Sequence, residues 1–171
     1  MGNLNIALIG ECMIELQEVN GVLRRSFGGD TLNTAIYLSR LTASKDVNVC
    51  YVTALGQDQI SQEMVDAWNA EGIDTQFVQR SETRQPGLYM VETDDTGERS
   101  FLYWRDAAAA KFWLETASEE LIESLLKQDV IYLSGISLAI LPPASREKLY
   151  DLLARYKAAG GKVYFDNNYR P

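Results

Sequence analysis

The sequence predicts an α/β protein organised on a parallel β-sheet. Two observations carry this. Several short runs are apolar throughout instead of alternating, as in strands covered on both faces, and the segments between them place apolar residues at helical spacing. Strand-like and helix-like segments alternate along the core, and a parallel sheet needs that order because each strand must be carried back to the same end by a crossover.

Ile6-Ala7-Leu8-Ile9-Gly10 is the first such run, closed by glycine. A dinucleotide-binding strand would continue into G-x-G-x-x-G, and Glu11-Cys12-Met13-Ile14-Glu15-Leu16 does not match. The residues through Phe27 mix polar and apolar types around a turn at Asn20-Gly21 and read as a β-hairpin leaving the main sheet. The chain returns at Phe27-Gly28-Gly29-Asp30-Thr31-Leu32-Asn33-Thr34-Ala35, and two readings fit that junction. One is a tight turn with Asp30 or Thr31 as helix N-cap. The other is a ligand site, in which the glycines allow close backbone approach while Asp30 and Asn33 exchange hydrogen bonds with hydroxyls. Leu32, Ala35 and Ile36, with small Ser39, form the inner face of the helix that follows.

Val47 to Val52 is the next strand. Gly56-Gln57-Asp58 then opens a helix with Ile60, Met64 and Trp68 spaced by four, capped by Asp58 and ending before Gly72. Leu88 to Asp94 and Glu98 to Trp104 form a hairpin about Asp95-Thr96-Gly97. With Asp94 opposite Glu98, Val91 faces Phe101 and Tyr89 faces Tyr103, so Tyr89, Val91, Phe101, Tyr103 and Arg105 share one side. Here too there are two readings: an amphipathic sheet face with Arg105 solvated, or a flap over an anionic ligand whose carboxylate Arg105 binds through its planar fork.

Ser118 to Lys127 is helical, with Leu121, Ile122 and Leu125 on one side. Val130 to Leu133 is a buried strand ending in Ser134-Gly135. Pro142-Pro143 starts a helix whose face is Leu149, Leu152, Leu153 and Tyr156, closed by Gly160-Gly161. Lys162 to Asp166 is the last strand and runs into Asn167-Asn168-Tyr169-Arg170-Pro171. Parallel sheets place ligands at the carboxyl ends of their strands, where Asp166, Asn168 and Arg170 follow the last strand and Glu11 to Glu15 follow the first. An ordinary polar loop with Asp166 as a cap is the competing reading.

A length of 171 residues fits one domain, and a net charge of −8 opposes nucleic acid or anionic membrane as partner. The chain has no histidine and only Cys12 and Cys50. That inventory removes Cys/His zinc sites, Ser-His-Asp triads and Cys-His pairs, and no metal site is expected. The cysteines read as buried thiols in a reducing compartment. No leader-like segment precedes the first strand and no apolar run has transmembrane length, so the cytoplasm is the expected location.

Ile9-Gly10-Glu11 with Glu15, Gly28-Gly29-Asp30-Thr31-Leu32-Asn33-Thr34-Ala35, Leu55-Gly56-Gln57-Asp58 with Glu71-Gly72-Ile73-Asp74, and Asp166 to Pro171 together resemble the ribokinase-like family of sugar kinases. Gly10 to Leu16, Tyr103-Trp104-Arg105 and Ser134 to Leu141 look most like its sugar-acid branch, the kinases of 2-keto-3-deoxygluconate. The resemblance implies a three-layer α/β/α, Rossmann-like parallel sheet with a small β-sheet lid. Residues 1–171 would be the N-terminal part of one incomplete kinase domain, with the lid at 11–27 and 86–105 and the core at 1–10, 28–85 and 106–171.

By the same resemblance, Gly28 and Gly29 form a hinge, Asn33 meets the sugar hydroxyls, and Tyr89, Tyr103 and Arg105 contact substrate, with Asp30 kept as a substrate-binding candidate from its own chemistry. Arg170, also a substrate contact, and Asn168 would lie next to the nucleotide phosphates, and Glu15 and Asp166 are further candidates. ATP and Mg2+ are the implied cofactors, a small sugar acid the implied ligand, and a homodimer through the lid the implied assembly. The family's catalytic base is an aspartate in a Gly-Ala-Gly-Asp motif, which does not occur in this sequence. Gly160-Gly161-Lys162 lacks the spacing of a phosphate loop. The chain is therefore expected to be the substrate-side half, inactive alone, of an enzyme forming the 6-phosphate of 2-keto-3-deoxygluconate. Fructokinase-like or nucleoside-kinase-like specificity, or a non-catalytic binding or assembly fragment with an open edge at Lys162 to Asp166, are the alternatives.

Overall fold

In the computed structural model, which describes residues 3–94 and 96–169, the first apolar run forms β1 (Leu4–Ile9) at the centre of a five-stranded sheet. The chain continues through β2 (Met13–Val19), β3 (Val22–Gly28), α1 (Asp30–Thr42), β4 (Val47–Gly56), α2 (Gln59–Ala70), β5 (Val78–Ser81), β6 (Leu88–Thr93) and β7 (Arg99–Trp104). A 3-10 turn (Ala109–Phe112) leads into α3 (Trp113–Thr116), followed by α4 (Glu119–Leu125), β8 (Val130–Ser134), α5 (Gly135–Ala139), α6 (Pro143–Ala158) and β9 (Lys162–Asp166). The core sheet has the order β5-β4-β1-β8-β9, with every pair parallel.

Strand alternation divides the core in two. Ala7 and Ile9 of β1 and Cys50, Val52 and Ala54 of β4 point to one face, where Trp113, Leu125, Leu149, Leu152 and Tyr156 cover them. Leu8, Val49, Tyr51 and Leu55 point to the other face, against Leu32 and Ala35 of α1 and Met64 and Trp68 of α2. The result is helices on both sides of a parallel sheet, as the resemblance implies. Asp58 caps α2 as expected, accepting from the Ser61 backbone N–H at 2.9 Å. Ser118 caps α4 and Ser134 caps α5.

The structure extends the Val47 to Val52 strand to Gly56, because Thr53 to Gly56 pair with β5. Strand β5 and helices α3 and α5 carried no periodic signal: at 4 or 5 residues each, they are shorter than one repeat of an amphipathic helix and offer too few positions for alternation. The second sheet has the order β3-β2-β6-β7 and contains both hairpins. Asp95 of the second hairpin loop lies outside the described residues. Among those residues, no helix is long and apolar enough to cross a membrane.

Cys12 and Cys50 are free, buried thiols. Burial pushes Cys12 well above the ordinary thiol range and raises Cys50 to about 12, with the Asp74 carboxylate adding to the effect on Cys50. Both should resist a chromogenic disulfide reagent at pH 8 in the native protein and react at once in urea, whereas rapid native labelling would contradict this burial. Trp68 is 1% exposed and meets Tyr51 edge to face with ring centroids 5.1 Å apart. Replacing it, Trp68→Ala, should cost about 3–5 kcal/mol in urea unfolding.

Candidate functional site

The second sheet stands over the carboxyl ends of β1, β8 and β9, and the space between is a cleft of about 890 Å³. Its outer wall is aromatic. The hairpin register sets Tyr89 opposite Tyr103 and Val91 opposite Phe101, as the loop arithmetic expected. The Phe101 and Tyr103 rings stack at 6.3 Å, and Tyr89 lies 5.9 Å from Tyr103. Glu15 of β2 is paired with Tyr89 in register and accepts the Tyr89 phenol proton, while Ser26 Oγ donates to its other oxygen at 2.8 Å. Burial, and then the Glu15 carboxylate, hold the phenol above its ordinary pKa.

Two close approaches join this wall to the core. A Cβ on Gly28 would sit 2.3 Å from the Tyr89 hydroxyl, and one on Gly29 would sit 2.3 Å from the Glu11 carbonyl oxygen. Only glycine lets β3 turn into α1 this close to its neighbours. The structure corrects the capping expectation: Gly29 occupies the N-cap position with no side-chain cap, and Asp30 is the first helical residue. The Asp30 carboxylate instead accepts from Asn168 Nδ2 at 2.8 Å, tying α1 to the segment after β9. Asn168 has φ 47, a left-handed value that asparagine tolerates, and its N–H donates to Asp166 Oδ1 at 2.9 Å.

Gly28, Gly29, Asp30, Asn33, Tyr89, Tyr103, Arg105 and Asn168 thus line one cleft. Glu15 stands behind Tyr89, and Asp166 lies beneath the turn at Asn168. Arg170 lies outside the described residues. The cleft also contains Glu11, Arg99, Ile136 and Asn167, which the sequence reading did not select. Arg99 has the same strand parity as Phe101 and Tyr103, so the hairpin arithmetic already contained it. Glu11 gave no such signal, since its partner Arg105 is 94 residues away.

Glu11 is buried and forms an ion pair with Arg105 Nη2. Burial raises the Glu11 pKa, against the opposing pull of Arg105. Arg105, expected to be either solvated or open to a ligand, already shares its charge with the core. Among the described residues, no three His, Cys, Asp or Glu side chains gather as a metal site.

The 2-dehydro-3-deoxygluconokinase of Escherichia coli K12 is 60% identical over 97% of this chain and 54% of its own length, so the chain spans about half the length of that relative. The crystal structure of the 2-dehydro-3-deoxygluconokinase of Thermotoga maritima superposes with a TM-score of 0.82 at 21% identity, over 98% of this chain and 52% of that one, a likeness of fold. The fructokinase of Xylella fastidiosa with bound ATP superposes with a TM-score of 0.77 at 26% identity, over 98% and 49%. Matched over residues 2–171 to the model of the pfkB family carbohydrate kinases, the chain belongs to that family.

Proposed function

We propose that this chain is the sugar-binding half of an ATP-dependent kinase that phosphorylates 2-keto-3-deoxygluconate, also called 2-dehydro-3-deoxygluconate, at its terminal hydroxyl. The observation that carries the reading is the 60% identity over 97% of the chain to the E. coli 2-dehydro-3-deoxygluconokinase. The cleft chemistry agrees with it. A guanidinium, two phenol rings and the amide and carboxylate at the start of α1 line one space, and these groups suit an acid bearing several hydroxyls.

In this reading residues 11–27 and 86–105 act as a lid. Arg105 holds the substrate carboxylate, Asn33 and Asp30 orient hydroxyls, and Tyr89, Phe101 and Tyr103 exclude water from the far side of the sugar. ATP, when bound, supplies the phosphoryl group, and the fructokinase relative with bound ATP supports it as the donor. The described cleft residues supply two cations, Arg99 and Arg105, both on the lid side. Asn168 and Arg170 are proposed as contacts to the nucleotide phosphates, and the Mg2+ contacts as coming from the part of the relatives' length that this chain does not span. Free thiols at Cys12 and Cys50 support a reducing compartment, the cytoplasm. Leu102 and Trp104, exposed on the other side of the lid sheet, support pairing of lids in a homodimer.

Calorimetry of the purified chain should detect 2-keto-3-deoxygluconate in preference to neutral fructose. Arg105→Ala should weaken that binding about 10- to 100-fold, since hydrogen bonds to charged groups are worth about 1.5–3 kcal/mol. Equal affinity for fructose, or no loss in the variant, would overturn the sugar-acid reading. The 171-residue chain is not expected to transfer phosphoryl from ATP, having no Gly-Ala-Gly-Asp motif, and radiolabelled ATP would reveal any turnover.

A further inference from the structure

Arg105 is held by the carboxylate of Glu11, a residue that lines the cleft while its side chain stays buried. The Glu11 side chain is 1% exposed and accepts from Arg105 Nη2 through Oε2. The two atoms beside that contact, Glu11 Oε1 and Arg105 Nε, are both buried and have no hydrogen-bond partner among the described residues. These two atoms are the other half of a side-on fork. The same molecule contains a complete one on its surface, where Arg40 Nε meets Glu71 Oε2 at 2.7 Å and Arg40 Nη2 meets Glu71 Oε1 at 2.5 Å. In the buried pair one of the equivalent bonds is made and the other is open.

The position of the pair gives the open bond a use. Glu11 lies in the link between β1 of the core sheet and β2, where the lid range begins, whereas Arg105 follows β7, an edge strand of the second sheet, where that range ends. Both pass Gly87, at the entry to β6: a Cβ there would lie 2.8 Å from Glu11 Oε1 and 3.1 Å from Arg105 Cβ. The pair therefore ties together the points where the chain enters and leaves the lid. The guanidinium has five N–H donors in a rigid plane. A fork on its Nε–Nη2 edge uses two of them, and the Nη1–Nη2 edge keeps a second pair at carboxylate spacing. Arg105 keeps 22% of its side chain exposed and lines the cleft, so this second edge is accessible.

We infer that Glu11 is the positioning residue for Arg105: when a sugar acid is seated, the single contact closes to a two-bond fork on the Nε–Nη2 edge, drawing β7 onto the core and aiming the Nη1 edge at the substrate carboxylate. This rests on the sugar-acid reading given above. Glu11 acts through Arg105 and not on the ligand, because its side chain is buried and its Oε2 is taken by Arg105.

The test is a double-mutant cycle on the purified chain with Glu11→Gln, Arg105→Ala and the double variant, read in two ways. In calorimetry with 2-keto-3-deoxygluconate, Glu11→Gln should weaken binding about tenfold, and the double variant should fall within about twofold of Arg105→Ala, because residues acting as one unit are non-additive. Losses that simply multiply would overturn the proposal. The second reading needs no ligand: amide exchange in Arg99–Trp104 should quicken about equally in Glu11→Gln, Arg105→Ala and the double variant. Unchanged exchange in Glu11→Gln would also overturn it. Glu63→Ala, which removes the exposed Arg25–Glu63 contact between lid and α2, should change neither reading, and a comparable effect there would reduce Glu11 to a general tether and overturn the proposal. Should Glu11→Gln fail to fold, Glu11→Asp keeps the charge but shortens its reach, and the same binding loss is expected. If the unaltered protein binds no sugar acid, the substrate reading fails, while the exchange cycle still decides whether Glu11 and Arg105 act as one.

Discussion

The cleft depends on how closely the start of α1 approaches the segment after β1. At Gly29 there is no room for a Cβ against the Glu11 carbonyl, and at Gly28 none against the Tyr89 hydroxyl. These approaches bring three distant parts of the chain to one place: the aromatic hairpin, the helix opening with Asp30 and Asn33, and the loop holding Asn168. A methyl group at Gly29 would force the start of α1 away from the segment after β1, and one at Gly28 would displace the Tyr89 ring, and either would change the space in which those side chains converge. Backbone proximity, more than any one side chain, therefore sets the dimensions of the site.

Charge in the cleft is arranged to leave donors free. A protein of net charge −8 repels an anion at a distance. Yet each carboxylate near the cleft already has a neighbour donating to it: Glu11 has Arg105, Glu15 has Tyr89 and Ser26, and Asp30 has Asn168. With at least one oxygen of each engaged, these acids act as supports for the groups that remain available. The buried Glu11–Arg105 pair is costly to desolvate and says little about stability. Its value lies in orientation, because a guanidinium gripped on one edge presents the other at a fixed angle.

The layered core was legible in the sequence because burial on both faces writes itself as uninterrupted apolar runs, as in Ile6 to Ile9 and Val130 to Leu133. The hairpin was legible because a short loop fixes register, and register alone put Tyr89, Phe101 and Tyr103 on one side. At the start of α1 the sequence left two readings of Asp30 open, and in the structure the N-cap position is Gly29 while a distant partner, Asn168, claims the Asp30 carboxylate. The pairing of Glu11 with Arg105 was out of reach for the same reason, since the burial of a charge follows from what folds over it and not from its neighbours in sequence. Local rules reached what local geometry decides, and the long-range polar pairings lay beyond them.

The central position of β1 also shapes how the molecule comes together. Its partners on the two sides are far apart along the chain: Asn5 reaches Asn48 across 43 residues and Asp129 across 124. Strand β1 must therefore wait until Val130 to Leu133 have been made before both of its edges are paired. The hairpins β2–β3 and β6–β7, by contrast, close over short turns and can form as soon as they emerge. During synthesis the lid can thus be assembled while the sheet beneath it is still incomplete, leaving the apolar faces of β1 and β4 exposed for most of that interval.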